Sequence, residues 1–473
     1  MLTLAVVIEA LTGRSMPQRA EVITDAAVDS RLCIPGSIFI ALPGEREDGH
    51  EYVQDAFARG AIVAIVEREL EPGLRSLDLR APDELEQLAQ IELPVCLRVD
   101  RSLQALQQVA RAWREKLDLR VVGITGSVGK STTKELVASV LDRRYRTVKN
   151  PGNLNNEIGL PLSLLQTTPA HERAVLEMGF YVPGEIALLC EIARPHVGVV
   201  TNVSQVHLER AGSMEAIVSG KRELVESLPP APGGTAILNF DDPLVQPMAE
   251  HTQARVFYYG LSPDADLWAS EVEGLGLDGV RFVLNYEGEH VHVRVPMLGR
   301  HSVHTALRAA SVGLLDGLSW EEIVSGLQSS ESQLRLVAVQ GPGGALLLDD
   351  TYNAAPSSVI AALNLLAELE GRRIAVLGDM LELGEYEERG HRMVGARAAS
   401  VADELITVGA RARWIADEAV KAGMPASSVI VLEDSPAATT HLGDRIGEGD
   451  VVLVKGSHGM RMDLIVAALE QVV

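Results

Sequence analysis

Aromatic side chains are scarce in this chain, at 4% of 473 residues, so its cores must rest on Val, Leu, Ile and Ala. Such a composition suits parallel strands buried under helices on both faces. Cysteine is scarcer still. Cys33, Cys96 and Cys190 are odd in number, far apart and set in apolar surroundings without metal-ligand spacing, which excludes a disulfide framework and predicts reduced core thiols. No Lys/Arg run relieves a formal charge of −23, so nucleic acid is excluded as a partner. No apolar run approaches the roughly 18 residues of a membrane span. The start, MLTLAVVIEALTG, has no basic n-region and meets Glu9 before an apolar signal segment can form, so a cytoplasmic protein without membrane insertion is expected.

What is present is a globular composition, 47% apolar and 23% charged, on a chain too long for one core. Three α/β domains are expected, at 1–99, 100–330 and 331–473, with short hinges near 100 and 330. In the first, SIFIAL (37–42), AIVAIVE (61–67) and VCLRV (95–99) read as strands and EYVQDAFARG as a helix. A helix from Ser102 to Lys116, with Ser102 as its N-cap, leads into the second. There AVLEM (174–178), VGVVT (197–201) and TAILN (235–239) alternate with helices, predicting a mostly parallel sheet. Residues 255–295 read as an antiparallel insert or extension. Helices resume at HTALRAASVGLL and SWEEIVSGLQS, and six strand candidates follow: LRLVAVQ, GALLLDDT, RRIAVLGD, ELITVG, SVIVLE and VVLVKG.

The chemistry is most legible in LRVVGITGSVGKSTTKELVASVL, a strand, a turn containing Gly123, Gly126 and Gly129, and a helix opened by Lys130, Ser131 and Thr132. Glycines let backbone N–H groups approach phosphate oxygens, a helix N-terminus favours negative charge, Lys130 can reach terminal phosphates and Ser131 can ligate Mg²⁺. The strict G-x-x-x-x-G-K-[ST] spacing fails by one position, because Ile124 stands where its first glycine belongs. What remains is a compact G-x-x-G-K-S.

Further segments extend the pattern: GNLNNEIG (152–159), LEMGFYVPGEI (176–186), TNVSQVHLERAGS (201–213), GKREL (220–224), NFDDP (239–243), GRHSVHTALRAA (299–310), DDTYNAAP (349–356) and LGDMLELGE (377–385). With the N-terminal SRLCIPGSIFIALPGEREDGH, their order and spacing resemble the Mur ligase family, and GNLNNEIG, DDTYNAAP and LGDMLELGE resemble its dipeptide-adding branch. The resemblance implies a central phosphate-loop ATPase domain between a small UDP-sugar-binding domain and a Rossmann-like third domain. It implies ATP-driven joining of D-Ala-D-Ala to UDP-MurNAc-tripeptide through an acyl phosphate, by a monomer with two Mg²⁺ sites. A carboxylate is a poor electrophile, so amide formation needs this activation.

By resemblance, Gly123, Thr125, Gly126, Ser127, Gly129, Lys130, Ser131 and Thr132 surround the phosphates, and Asn155 and Asn156 lie near the γ-phosphate. Asn239 and His301 sit on the adenine side, with Asp242 a loop or cap residue. Arg335 and Asp350 reach phosphate and ribose on domain closure. Ser131, Glu177, His207 and Lys221 are implied metal ligands, Lys221 as a carbamate. Carbamate forms on a neutral amine, and roughly one ordinary lysine in a few thousand is neutral at pH 7, so burial would help by lowering that pKa, although within GKREL alone the lysine reads as a solvated helix residue. Ser30, Arg31, Ser37, Gly44, Asp48, Gly49 and His50 are implied to hold the UDP-substrate, and Tyr352 and Asn353 the dipeptide. The chain departs from the family pattern at Thr305, Ala355 and His458. Alternative readings are a relative adding a single diamino acid, against which the absence of a DNPR-type motif argues, and a catalytically silent nucleotide-binding scaffold.

Overall fold

Runs of buried branched aliphatic residues place the strands of three separate sheets in the computed structural model, which describes residues 1–44, 47–70, 73–329, 336–443 and 445–470. The first sheet comprises β1 (Ala26–Ala27), β2 (Ile38–Ile40), β3 (Val63–Val66), β4 (Ser76–Asp78) and β5 (Val95–Arg98), all parallel in the order β1-β2-β3-β5-β4. Strands β1 and β4 are too short to show a periodicity in sequence. The helix Ser102–Glu115 lies between this sheet and the next, and Leu106, Val109, Ala110 and Trp113 join the two in one continuous apolar core. Its N-cap is Arg101, not Ser102, which is the first helical residue and fully buried.

The second sheet contains β6 (Arg120–Thr125), β7 (Thr147–Lys149), β8 (Arg173–Glu177), β9 (Val197–Val200), β10 (Thr235–Asn239), β11 (Arg255–Gly260), β12 (Leu267–Gly274), β13 (Val280–Tyr286) and β14 (Glu289–Val295). The order β14-β13-β12-β11-β10-β9-β6-β8-β7 puts β6 between β9 and β8. The carboxyl ends of β8, β6, β9 and β10 therefore lie side by side, where open α/β sheets hold their ligands. The expected antiparallel region begins later than the sequence suggests. RVFYYG pairs parallel to β10, because the 3₁₀ turn Gln246–His251 carries the chain back across the sheet, and antiparallel pairing starts at β12 with β13.

The third sheet, β15 (Val337–Gln340), β16 (Leu346–Asp349), β17 (Arg372–Gly378), β18 (Glu404–Val408), β19 (Val429–Leu432) and β20 (Asp450–Lys455), takes one strand from each expected segment. Its order is β15-β16-β20-β17-β18-β19, with only β15 antiparallel, and apolar clusters cover both faces. The cysteines are buried and free, and burial pushes the Cys33 thiol up to about 11 and the Cys96 and Cys190 thiols up to about 12. Among the described residues no helix is long and apolar enough to cross a membrane.

Candidate active site

The loop after β6 has a shape that only glycine permits at two points. Gly126 has φ +142°, and a Cβ there would lie 1.9 Å from Thr201 Oγ1; Gly129, at φ +84°, caps the helix Lys130–Leu141. The segment after β9 staples the loop in place: Ser127 N donates to Asn202 O at 2.9 Å, Val128 N to Asn202 Oδ1 at 3.0 Å, and Thr201 Oγ1 to Val128 O at 2.8 Å. Ser127 Oγ accepts from Ser204 N, and Thr125 Oγ1 donates to Met178 O, so both hydroxyls brace the loop, Ser127 at the wall of the cavity described below. Lys130 Nζ donates to the carbonyls of Gly126 and Ser127 at 2.8 and 3.2 Å, directly over the loop.

Gly123 does not belong to that turn. It lies inside β6, paired with Gly198 of β9, and a side chain at either position would press on Leu224 at 3.0–3.1 Å. Two glycines side by side thus let the helix Met214–Glu226 settle on the sheet. That helix carries Lys221, 1% exposed, with Nζ over the Phe180 ring at 4.8 Å. Burial, then the charge of Lys130, push the Lys221 amine well below its ordinary 10.5. Among the described residues no neighbouring carboxylate offsets this effect.

Glu177, the last residue of β8, is 2% exposed. Its Oε2 accepts from Ser131 Oγ at 2.5 Å and its Oε1 from Asn155 Nδ2 at 2.8 Å. Asn156, by contrast, is exposed, and its side chain accepts the N–H groups of Ile158 and Gly159 in the turn that leads into the following helix. Asn150, the residue after β7 and not among the candidates named from sequence, is fully buried. Its amide accepts Glu177 N at 2.9 Å and donates to Glu177 O at 3.1 Å, continuing the ladder beside β8 where β7 stops at Lys149. Lys134, also overlooked and buried, holds the Asn150 and Gly152 carbonyls.

His207, at φ +62°, precedes the short helix Leu208–Ala211. Its Nδ1 lies 2.5 Å from Glu382 Oε2 of the LGDMLELGE segment, so the third-sheet region reaches the end of the second sheet here. Burial, then Lys130, lower the tendency of the ring to protonate, against the pull of Glu382.

A cavity of about 460 Å³ runs between the phosphate loop and the third-sheet region. Gly129, Thr132, Asn239, His301, Asp350 and Asn353 line it, together with the departures Thr305 and Ala355. Asn239 is held by Thr201 O, and Asp242 ties down Val203 N and Leu244 N as a loop residue. Thr305 accepts from Arg308 Nη2 at 2.8 Å. Buried Arg308 also reaches Thr133 Oγ1 and Tyr259 Oη, which makes it a brace absent from the sequence reading. Asp350 Oδ2 pairs with Lys455 Nζ at 2.7 Å, and Lys455 also binds Asn353 O. Tyr352 is exposed, its ring 6.2 Å from that of His458. Arg335 lies outside the described residues.

The implied UDP-substrate residues gather around β2 but divide by role. Ser37 Oγ donates to Ile34 O and accepts Ile34 N, while Ser30 Oγ is taken by Asp55. His50 is a buried bracket, with Nδ1 2.5 Å from Asp48 and Nε2 accepting Glu67 N. These three side chains each have partners within the fold. Burial opposes ionisation of Asp48, but hydrogen bonds from His50 and Arg68 outweigh it and hold the carboxyl at about 2. Gly49 lies against the Leu42 backbone and Gly44 against Glu47 O; Arg31 is exposed and paired with Asp29.

Three family models match in succession: the Mur ligase family catalytic domain at residues 22–114, the Mur ligase middle domain at 124–313, and the Mur ligase glutamate ligase domain at 334–458. The UDP-N-acetylmuramoyl-tripeptide--D-alanyl-D-alanine ligase of Synechocystis sp. is 35% identical over 450 residues, covering 94% of this chain and 92% of its own. The crystal structure of MurF from Acinetobacter baumannii superposes with TM-score 0.83 at 30% identity, over 98% of this chain and 97% of that one. MurF from Thermotoga maritima in complex with ADP gives 0.78 at 26%, over 97% of both chains. Matched from end to end by these domains and relatives, the chain belongs to the Mur ligase family.

Proposed function

We propose that this chain joins D-alanyl-D-alanine to UDP-N-acetylmuramoyl-tripeptide, converting ATP to ADP and phosphate in peptidoglycan precursor synthesis. The observation that carries the reading is the cleft itself, in which Gly129 and Thr132 of the phosphate loop line one cavity with Asp350 and Lys455 of another sheet, in a chain matched along its length by ligases of that name. The terminal carboxylate of the tripeptide attacks the γ-phosphorus and ADP leaves. The dipeptide amine then attacks the acyl phosphate, phosphate departs and the amide forms. Lys130 and the N–H groups around Gly129 stabilise charge on the transferring phosphoryl group, and Asn155 keeps Glu177 oriented. Apposition of the third-sheet region excludes water that would hydrolyse the acyl phosphate.

A hydroxyl beside a carboxylate is an oxygen donor set of the kind Mg²⁺ takes, so Ser131 and Glu177 suit a first ion. The second set fits less simply. Among the described residues no three His, Cys, Asp or Glu side chains gather as a metal cluster, and a cationic lysine would repel a metal ion. Lys221 as a carbamate would supply the missing oxygens beside His207, and its dry seat favours the neutral amine that CO₂ requires. Bound Mg²⁺ neutralises the crowded phosphate oxygens.

In this reading residues 1–99 hold the UDP-sugar, 100–330 the ATP, and 331–473 close on it, with Tyr352 and Asn353 on the dipeptide side. The enzyme works as a cytoplasmic monomer. Phosphate release should require ATP, UDP-MurNAc-tripeptide and D-Ala-D-Ala together. Turnover with a single diamino acid but not the dipeptide would place the chain in the other branch, and failure of any amine to elicit phosphate would make it a silent scaffold.

A further inference from the structure

Glu382 is among the most heavily engaged residues between the second- and third-sheet regions. Its Oε2 lies 2.5 Å from His207 Nδ1, its Oε1 3.3 Å from Arg210 Nη2, and its carbonyl accepts Glu209 N at 3.4 Å. Two residues on, Gly384 backs onto Glu209, where an added Cβ would meet the backbone at 3.3 Å. Both Glu382 and His207 hold left-handed φ values, +63° and +62°, which non-glycine side chains rarely adopt. Paired outliers of this kind persist where the surroundings over-determine them, and they cluster at working sites. The His207 ring is also met at its edge by Tyr181, centroids 4.9 Å apart, and the Arg210 guanidinium lies over Tyr181 at 4.5 Å. Glu382, Arg210 and Tyr181 thus form a frame around one imidazole, and Glu382 is the member supplied by the third-sheet region.

We propose that Glu382 is a positioning residue that couples apposition of the third-sheet region to the orientation of the His207 ring. Accepting the Nδ1 proton leaves the Nε2 lone pair as the acceptor of the ring, the arrangement by which a carboxylate orients a metal-binding histidine. Each contact of Glu382 with His207, Glu209 and Arg210 crosses between the two regions, so it exists only while they are together. A site assembled this way becomes competent on closure and not before, which keeps ATP from being spent on water. The inference rests on the ligase reading above.

The test uses the full chain with Glu382→Ala, Glu382→Gln and Arg210→Ala. Glu382→Ala should lower kcat by about tenfold to a hundredfold, the range for an orienting carboxylate, and raise the half-saturating Mg²⁺ concentration, with KM for ATP and Tm little changed. Glu382→Gln, which can still accept from Nδ1–H, should recover much of the loss. Arg210→Ala should fall between, and combined with Glu382→Ala should add little. A purely structural role would instead lower Tm and leave the Mg²⁺ dependence alone. Wild-type kcat and Mg²⁺ dependence in Glu382→Ala overturn the proposal. Should the parent itself release no phosphate, the ligase reading fails, and X-ray scattering with a non-hydrolysable ATP analogue still decides the coupling. A more expanded Glu382→Ala supports it, and identical profiles for the two proteins overturn it.

Discussion

Replacing Asn150 by Ala removes three hydrogen bonds from a fully buried amide: the one accepted from Glu177 N at 2.9 Å and those donated to Glu177 O at 3.1 Å and Leu154 O at 2.7 Å. At about 1 kcal/mol net each they contribute about 3 kcal/mol, and leaving Glu177 N–H and C=O without this partner in a dry interior raises the cost to about 3–5 kcal/mol. That is a large share of the roughly 5–15 kcal/mol by which a domain is stable. Because the amide holds the residue that presents its carboxylate to Ser131, function should suffer as well. A displacement near 1 Å at such a position costs up to about a hundredfold in rate. Asn150→Asp is predicted to be no better, since it keeps the acceptor for Glu177 N but turns a carboxylate oxygen toward two carbonyls. Urea unfolding followed by circular dichroism measures the first quantity and phosphate release at saturating substrates the second. An Asn150→Ala protein within about 0.5 kcal/mol of the parent, with unchanged kcat, would refute the ladder role.

Other perturbations give equally definite outcomes. Gly126→Ala must place a Cβ 1.9 Å from Thr201 Oγ1 at φ +142°; strain of about 1–3 kcal/mol weakens nucleotide binding by about tenfold to a hundredfold in calorimetry, and parental affinity would contradict the loop geometry. Gly220→Ala gains about 1 kcal/mol of helix propensity but drives a methyl to 1.9 Å from Phe180 Cε2, so Tm should fall; Phe180→Ala in the same chain should relieve it, and a drop unaffected by the second change would break the argument. Lys221→Ala should lose activity and recover part of it with added short carboxylates, so full activity under both conditions sinks the carbamate reading. In CO₂-free buffer the buried Lys221 holds fewer protons folded than unfolded between its lowered pKa and 10.5, which makes stability rise with pH through that window. Lys221→Met should flatten that slope and raise Tm at pH 7, and an unchanged Tm–pH curve would show that the amine is not desolvated.

Most of the sheet framework was legible from the sequence because parallel strands buried on both faces leave continuous Val, Ile and Leu runs, as in β6, β9 and β20. Among the strands not singled out in sequence, β1, β4 and β7 are two or three residues long and take their conformation from their neighbours, whereas the eight-residue β12 lay undistinguished within the 255–295 region. Gly126 and Gly129 stand in the turn where the sequence puts them, with a backbone that demands glycine. Gly123, expected in the same turn, lies inside β6, because a glycine that admits Leu224 looks in sequence like one that shapes a turn.

Local chemistry and spacing were enough to place the loop of Gly126, Lys130 and Ser131 and the order of the strand segments, whereas Glu177, His207 and Lys221 became candidates only through the resemblance to the Mur ligase family. Which polar side chains find partners within the fold became visible in three dimensions: Ser37, His50, Ser127 and Asn156 are held by neighbouring residues, and Glu177 stands beside Ser131. The tertiary structure also brought forward Asn150, Arg308, Lys455 and Glu382, whose partners lie 27 to 175 residues away along the chain. A hydrogen bond acts over about 3 Å, so a donor identifies its acceptor only after folding has brought distant segments together.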